Sequence, residues 1–149
     1  MTAPELYFHV KKIFEQNGIE SASFEAMCVL EHIFGKKLNR LLLERTEASK
    51  EQIDTANNIA YQRISGYPLQ YILGKWEFYG LPFYVGEGVL IPRQDTEILA
   101  ETSINTARKM SKPKILDLCS GSGCLAVSIA KSVPDAEITA VEISEIAVE

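Results

Sequence analysis

A glycine-rich loop joins a short apolar run to a helix-like segment between residues 115 and 142. The run Ile115-Leu-Asp-Leu118 has the length and character of a buried strand. A Pro134-Asp135 turn later leads to a second apolar run that ends at Glu142. Between the two runs, apolar residues recur at the i, i+3, i+4, i+7 positions of a helix: Ala126, Ile129, Ala130 and Val133. The order strand, helix, strand predicts a βαβ unit with parallel strands.

The loop has the residue types of a ligand-binding turn. Gly121 and Gly123 lack a Cβ atom, so the chain can turn tightly and a ligand can approach the backbone. The helix behind them presents free N–H groups and a partial positive charge. Gly121-x-Gly123-x-x-Ala126 fits the dinucleotide pattern, and Glu142 lies where an acid accepts ribose hydroxyls. We therefore predict an adenosine-type ligand, with an ordinary strand-to-helix turn as the alternative.

Asp117 distinguishes between two adenosine-type ligands. It ends the first predicted strand, just before the glycine loop. A carboxylate there would repel a pyrophosphate but would suit an ammonium or sulfonium group. This favours S-adenosyl-L-methionine over NAD. An NAD-dependent oxidoreductase, which would share Gly121, Gly123 and Glu142, remains the second hypothesis.

Composition and charge exclude several classes of protein. The 149 residues are 46% hydrophobic and 23% charged, which is typical of a globular chain. The net charge of −5 is unlike the basic surface of a general nucleic-acid binder. The three cysteines lack metal-ligand spacing, so we expect reduced thiols and no metal site. No signal segment or membrane-length apolar run occurs, which predicts a soluble, cytoplasmic protein without membrane contact.

The first 66 residues have helical periodicity throughout. A first helix is expected to stop at Asn17-Gly18, and a second to be capped by Ser23 and to end at Gly35. A short third helix follows around Leu38 to Glu44. Ser49 and Gln52 form a capping box for a fourth, which ends at Gly66. These helices predict a small bundle for protein recognition, and a non-catalytic binding module is a third hypothesis for the chain.

The residue composition changes after the bundle, from helical periodicity to aromatic and β-prone residues. Residues 76–85 are aromatic and β-prone around Gly80-Leu81-Pro82, which predicts a β-hairpin joining two domains. A helix is expected from Ile98 to Met110, with Asp95 or Thr96 as its N-cap.

Several segments together resemble one enzyme family. They are Pro68-Leu-Gln-Tyr-Ile-Leu-Gly74, Glu77-Phe-Tyr-Gly80, Leu90-Ile-Pro-Arg-Gln-Asp-Thr-Glu97, Asp117-Leu-Cys-Ser-Gly-Ser-Gly123 and Ala140-Val-Glu-Ile-Ser144. With them the chain resembles, nearly end to end, the HemK/PrmC family of release-factor glutamine methyltransferases. The Ile-Pro-Arg-x-Asp-Thr-Glu segment is the most specific, because glycine loops occur in every class I methyltransferase.

The resemblance implies an α/β protein in three parts. Residues 1–73 would form an all-α helical bundle for substrate recognition, residues 74–92 a β-hairpin linker, and residues 93–149 the start of a class I, Rossmann-like domain. The implied cofactor is S-adenosyl-L-methionine. The implied partner is a peptide chain release factor, modified on the glutamine of its Gly-Gly-Gln motif. We expect a monomer with no direct nucleic-acid contact.

The resemblance also assigns site residues. The cofactor-binding set would be Asp117, Cys119, Ser120, Gly121, Ser122, Gly123 and Glu142, with Thr96 as a further candidate. Cys119, Gln94 and Glu142 stand where relatives often have glycine, proline and aspartate, and Glu142 has a longer reach than aspartate.

The family's catalytic Asn-Pro-Pro-Tyr segment does not occur in these residues. We therefore assign no catalytic residue and expect the sheet to be truncated after its second strand. We also expect the 149-residue chain to be inactive by itself.

Overall fold

The computed structural model describes residues 1–148, and Glu149, the last residue of the expected Rossmann-like domain, lies outside them. The chain divides into two compact units, Met1–Leu73 and Gly74–Glu149. The first unit is helical. Its elements are α1 (Ala3–Gln16), α2 (Ala22–Phe34), α3 (Leu38–Glu44), α4 (Lys50–Ile64) and α5 (Leu69–Leu73).

Local sequence signals set the ends of these helices. The predicted capping box of α4 is confirmed, because Ser49 Oγ accepts from Gln52 N–H and the Gln52 side chain accepts from Ser49 N–H. Thr2 and Glu5 form a second, unpredicted box at α1. The predicted cap Ser23 is wrong, since α2 already begins at Ala22. Gly35 ends α2 in the left-handed conformation, as expected.

The core of the first unit consists of apolar residues from all five helices. It includes Leu6, Val10, Phe14, Val29, Leu30, Leu41, Ile59 and Leu69. One ion pair joins α2 to α4: Arg63 donates to both carboxylate oxygens of Glu25, from Nε at 2.6 Å and from an η nitrogen at 3.1 Å. Ser21 Oγ donates to the same carboxylate at 2.8 Å, so this largely buried acid is well satisfied.

The second unit contains a hairpin and a βαβ arrangement. Its elements are β1 (Lys75–Phe78), β2 (Leu81–Tyr84), α6 (Thr96–Ala107), β3 (Lys114–Leu118), α7 (Cys124–Ser132), β4 (Glu137–Val141) and α8 (Glu145–Val148). The helical N-terminus, the hairpin and the start of a methyltransferase-type α/β domain follow in the order that the sequence predicts. Helix α6 ends three residues earlier than expected, and Asp95 makes no side-chain capping bond.

The hairpin turns one residue earlier than predicted. Tyr79 and Gly80 occupy the turn with φ values of 50° and 72°, as a two-residue type I′ turn requires. Leu81 and Pro82, which we expected in the turn, instead begin β2. Phe78 and Phe83 are buried in a cluster with Ala100 of α6 and Cys124 of α7, so the hairpin packs within the second unit.

Strands β3 and β4 run parallel, with Asp117 opposite Ala140 and Leu118 opposite Val141. One face of this sheet packs on the helices, where Ile115 and Ile138 contact a cluster that includes Ile104 and Ile129. The parallel pairing brings the carboxyl ends of both strands to one edge, where an α/β sheet places its ligands. No helix among residues 1–148 has the length and hydrophobicity required to cross a membrane.

Candidate functional site

A cavity of about 410 Å³ opens at the carboxyl ends of β3 and β4. The glycine loop, the start of α6, and residues after β4 line it. Of the residues predicted to bind the cofactor, the cavity lining includes Thr96, Asp117, Cys119, Ser120, Gly121, Ser122 and Glu142. Gly123 is not part of the lining and instead caps α7. The structure thus brings together residues from three segments that are distant in the sequence.

The glycine loop turns through three left-handed residues. Cys119, Gly121 and Gly123 have φ values of 60°, 55° and 69°. The loop is anchored at Ser120, whose N–H donates to Val141 O at 3.1 Å and whose carbonyl accepts from Gly123 N–H at 2.9 Å. A Cβ atom built on Gly121 would meet no atom within 4 Å. The space beside this backbone is therefore open to a ligand.

Asp117 is the most unusual polar group of the cavity. Its side chain lines the cavity, and the residue is only 9% exposed. Within the described residues its Oδ2 has no hydrogen-bond partner. Burial raises the pKa of this carboxyl, while a hydrogen bond from the backbone of Ala126 acts in the opposite direction. A buried carboxylate oxygen without a partner is costly in the free protein and fits a cationic or N–H-bearing ligand group.

Glu142 follows β4 and closes the other side of the glycine loop. Its Oε2 accepts from Gly121 N–H at 2.7 Å. Its Oε1 accepts from Ile143 N–H at 2.8 Å and from Ser144 N–H at 2.9 Å. These bonds, led by those from Ser144 and Gly121, lower the pKa of the carboxyl. Glu142 is therefore held in its ionised form at the position where a ribose-binding acid was predicted.

Sequence reasoning missed several residues of the lining. They are Gly88, Leu90, Pro92, Arg93, Leu99, Leu118, Ser144 and Ala147, together with Cys124 and Leu125 of α7. Arg93 is the cation among them, and within residues 1–148 its side chain forms no ion pair or hydrogen bond. The signal for Arg93 was its place in the Ile-Pro-Arg-Gln-Asp-Thr-Glu segment, which had contributed only Thr96 as a site residue.

The two cysteines of the lining differ in environment. Cys119 is exposed, whereas Cys124 is buried. Burial raises the pKa of the Cys124 thiol. The third cysteine, Cys28, belongs to the helical unit, and burial raises the pKa of its thiol to about 11. A neutral, buried Cys124 is a packing residue of the cavity wall.

The cavity fits an adenosine-type ligand with a cationic group at one end. Asp117 offers a buried acceptor for the cation, the open backbone at Gly121 allows close approach, and Glu142 offers a carboxylate for hydroxyl groups. A pyrophosphate would meet Asp117 unfavourably. The residues present thus match S-adenosyl-L-methionine better than NAD.

Comparison with known proteins identifies both halves of the chain. Residues 5–74 match the family described as PrmC N-terminal domain, and residues 94–149 match the methyltransferase small domain. A release factor glutamine methyltransferase of Thermodesulfovibrio yellowstonii is 40% identical over 126 residues, covering 83% of this chain and 45% of its own.

Two further relatives carry the same name. The one from Flavobacterium psychrophilum is 37% identical over 136 residues, covering 89% of this chain and 47% of its own. The one from Fusobacterium nucleatum is 53% identical over 81 residues, covering 54% of this chain and 23% of its own. The chain therefore spans less than half the length of these curated relatives.

Proposed function

Because the chain belongs to the HemK/PrmC family, we propose that the protein methylates the side-chain amide of a glutamine in peptide chain release factors, with S-adenosyl-L-methionine as donor. The glutamine that we propose is that of the Gly-Gly-Gln motif. The relatives' names support the reaction, and their match over most of this chain supports the transfer of that function. The observation that carries the proposal is the buried, unpartnered Oδ2 of Asp117 beside an open glycine loop.

Each cavity residue has a distinct proposed role in holding the donor. Asp117 accepts from the ammonium group of the methionine half, and Glu142 accepts from the ribose. The backbone of residues 119–123 surrounds the ligand closely, and Thr96 adds a hydroxyl at the start of α6. The donor, when bound, supplies an electrophilic methyl group. The chain's own contribution is to fix the orientation of that group, which a displacement reaction requires.

The acceptor side needs a second set of groups. An amide nitrogen is a weak nucleophile because its lone pair is delocalised, so the site must orient the glutamine toward the methyl group. Asn-Pro-Pro-Tyr, the family's segment for this task, does not occur among the 149 residues. We therefore propose that these residues bind the donor without transferring a methyl group. We also propose that the helical unit recognises the release factor.

Calorimetry tests the donor site directly. We expect the chain to bind S-adenosyl-L-methionine and S-adenosylhomocysteine more tightly than NAD. Asp117→Ala should weaken binding of S-adenosyl-L-methionine, and Asp135→Ala, at an exposed turn of the same unit, is the matched control. Tighter binding of NAD would reassign the site to a dinucleotide.

Methyl transfer tests the reaction. Radiolabelled donor should modify a release factor when the chain is extended to the length of its relatives, and should not modify one whose Gly-Gly-Gln glutamine is replaced by alanine. The 149-residue chain should give no label above background. Labelling by the short chain at the rate of the long one would contradict the proposed division of donor and acceptor groups.

A further inference from the structure

The Glu142 carboxylate has little acceptor capacity left. A carboxylate offers about four acceptor positions, two on each oxygen. The N–H groups of Ile143 and Ser144 take both positions on Oε1, and that of Gly121 takes one on Oε2. One position therefore remains, on Oε2.

A ribose presents two adjacent hydroxyl groups and needs two acceptor positions for a bidentate contact. In the ligand-free protein the Glu142 carboxylate has only one acceptor position left. One of its three hydrogen bonds to the backbone must therefore break when a ribose is bound in this way. We propose that the Gly121–Glu142 hydrogen bond is a strap across the edge of the donor cavity and that a bound ribose replaces it. This inference rests on the proposed function, because it requires a donor with a ribose.

The geometry identifies which of the three bonds is exchanged. Ile143 and Ser144 directly follow Glu142, so their bonds form within one short turn. The bond to Gly121 instead joins two segments that lie 21 residues apart. It is also the one that involves the cavity side of the glycine loop, where the space beside Gly121 is open. Releasing it exposes the Gly121 N–H to the cavity, where a ligand atom or water can accept from it.

The loop does not depend on the strap for its position. Ser120 N–H donates to Val141 O, and Gly123 N–H donates to Ser120 O, so neither bond involves the Glu142 side chain. The strap can therefore open without unfolding the loop. Glu142 acts as a positioning residue with two alternative partners, the Gly121 N–H in the free protein and the ribose in the complex.

Replacing Glu142 with aspartate distinguishes between its two hydrogen-bond partners, the Gly121 N–H and the ribose. Glu142→Asp keeps the carboxylate but shortens the side chain by one methylene, about 1.5 Å. A strap of 2.7 Å would lengthen beyond hydrogen-bonding distance. The variant therefore starts with free acceptor positions and needs no exchange. Since a hydrogen bond to a charged group is worth a factor of about ten or more, we expect Glu142→Asp to bind S-adenosylhomocysteine about tenfold more tightly than the natural chain.

The through-bond NMR coupling between the Gly121 nitrogen and the Glu142 side-chain carboxyl carbon reports the strap itself, and it requires no variant. We expect this coupling in the free 149-residue chain and its loss on saturation with S-adenosylhomocysteine. Calorimetry with the same ligand then compares the natural chain, Glu142→Asp and Glu142→Gln. The glutamine variant, which keeps the length and loses the charge, should bind more weakly than the natural chain.

The outcomes separate the two proposals. If S-adenosylhomocysteine binds but the coupling persists in the complex, or if Glu142→Asp binds no more tightly, the strap is wrong and the donor assignment stands. If the natural chain binds NAD and not S-adenosylhomocysteine, the donor assignment fails and the strap fails with it.

Discussion

At the scale of single residues, the two carboxylates of the cavity have opposite environments. Burial without a full set of partners raises the pKa of Asp117, whereas three backbone N–H groups lower that of Glu142. The first is destabilised as an anion in the free protein and the second is stabilised. The Asp117 side of the cavity is therefore suited to a cation, and the Glu142 side is preorganised in its ionised form.

The Asp117→Asn variant tests this difference. We expect it to weaken binding of S-adenosyl-L-methionine by roughly tenfold to a hundredfold, because a charge-assisted hydrogen bond is lost. The same change should raise the melting temperature of the free chain, because a buried charge is removed. Calorimetry and a thermal melt measure the two effects, with Asp135→Asn as control. A variant that loses both affinity and stability would show that Asp117 serves folding instead.

The pH dependence of stability gives an independent measurement of Asp117. Its pKa is higher in the folded chain than in the unfolded one, so the folded state binds more protons between the two values. The contribution of Asp117 to stability is thus greatest at low pH and declines as pH rises through the folded-state pKa. Melting temperatures across acidic pH should show this decline in the natural chain and not in Asp117→Asn. The pKa of Glu142 is lowered, so its contribution to stability is lost as pH falls, and this holds for the natural chain and for Asp117→Asn alike.

The sequence could predict some residues of this cavity and not others. Asp117, Gly121 and Glu142 were found because strand ends and glycine spacing follow from local pattern. Ala147 of α8 lines the same cavity, and no local pattern specifies this position. Arg93, which precedes α6, also lines it, and its only signal was its place in the Ile-Pro-Arg-Gln-Asp-Thr-Glu segment. The hydrogen-bond partners of Glu142 could not be predicted either. Its position 21 residues after Gly121 suits contact with a ribose, but it equally allows a hydrogen bond from Gly121 N–H.

At the scale of elements, helix ends account for much of the agreement between sequence and structure. Ser49 with Gln52 was identified correctly because a reciprocal capping box involves only neighbouring residues. Ser23 was not, because α2 begins at Ala22 with Ser21 as its N-cap residue. The Ser21 hydroxyl donates to the Glu25 carboxylate and makes no capping bond to the backbone. The turn of the hairpin was misplaced for a similar reason: Tyr79 takes a positive φ that glycine usually supplies, so its side chain gave no signal.

A pair of serine variants tests the cap at α4. Ser49→Ala should destabilise the helical unit by about 1 kcal/mol, because it removes the acceptor for Gln52 N–H. For a unit of this size that corresponds to a fall of roughly 4–8 °C in melting temperature. Ser23→Ala is the matched control, since this exposed side chain lies inside α2 and forms no cap. Equal decreases of melting temperature in the two variants would show that the capping box does not explain the effect of Ser49→Ala.

At the scale of the whole molecule, the helical unit has the features of an independently folding domain. Its buried cluster draws only on residues of Met1–Leu73, and each large side chain buried there contributes about 1.5–3 kcal/mol of hydrophobic free energy. The ion pair between Glu25 and Arg63 also lies within it. That residues 1–73 fold independently as a substrate-recognition domain remains a prediction from the sequence.

A chain that ends at Leu73 tests this boundary. We expect helical circular dichroism and a cooperative thermal melt, because the core and the caps of α1 and α4 are all retained. Arg63→Ala in this shorter chain should reduce the melting temperature, since Glu25 would be left as an unpaired, largely buried charge. A gradual, non-cooperative melt of the natural short chain would require the second unit for folding.

The contrast among the three cysteines makes the natural chain suitable for selective chemical labelling. Thiol reagents attack the thiolate, and Cys28, with a pKa of about 11, and the buried Cys124 hold little of that form at neutral pH. Cys119 is exposed beside the cavity. A maleimide fluorophore should therefore attach first at Cys119, as peptide mass mapping can verify. A dye at that position would report occupancy of the cavity by changes in emission, without the introduction of any foreign residue.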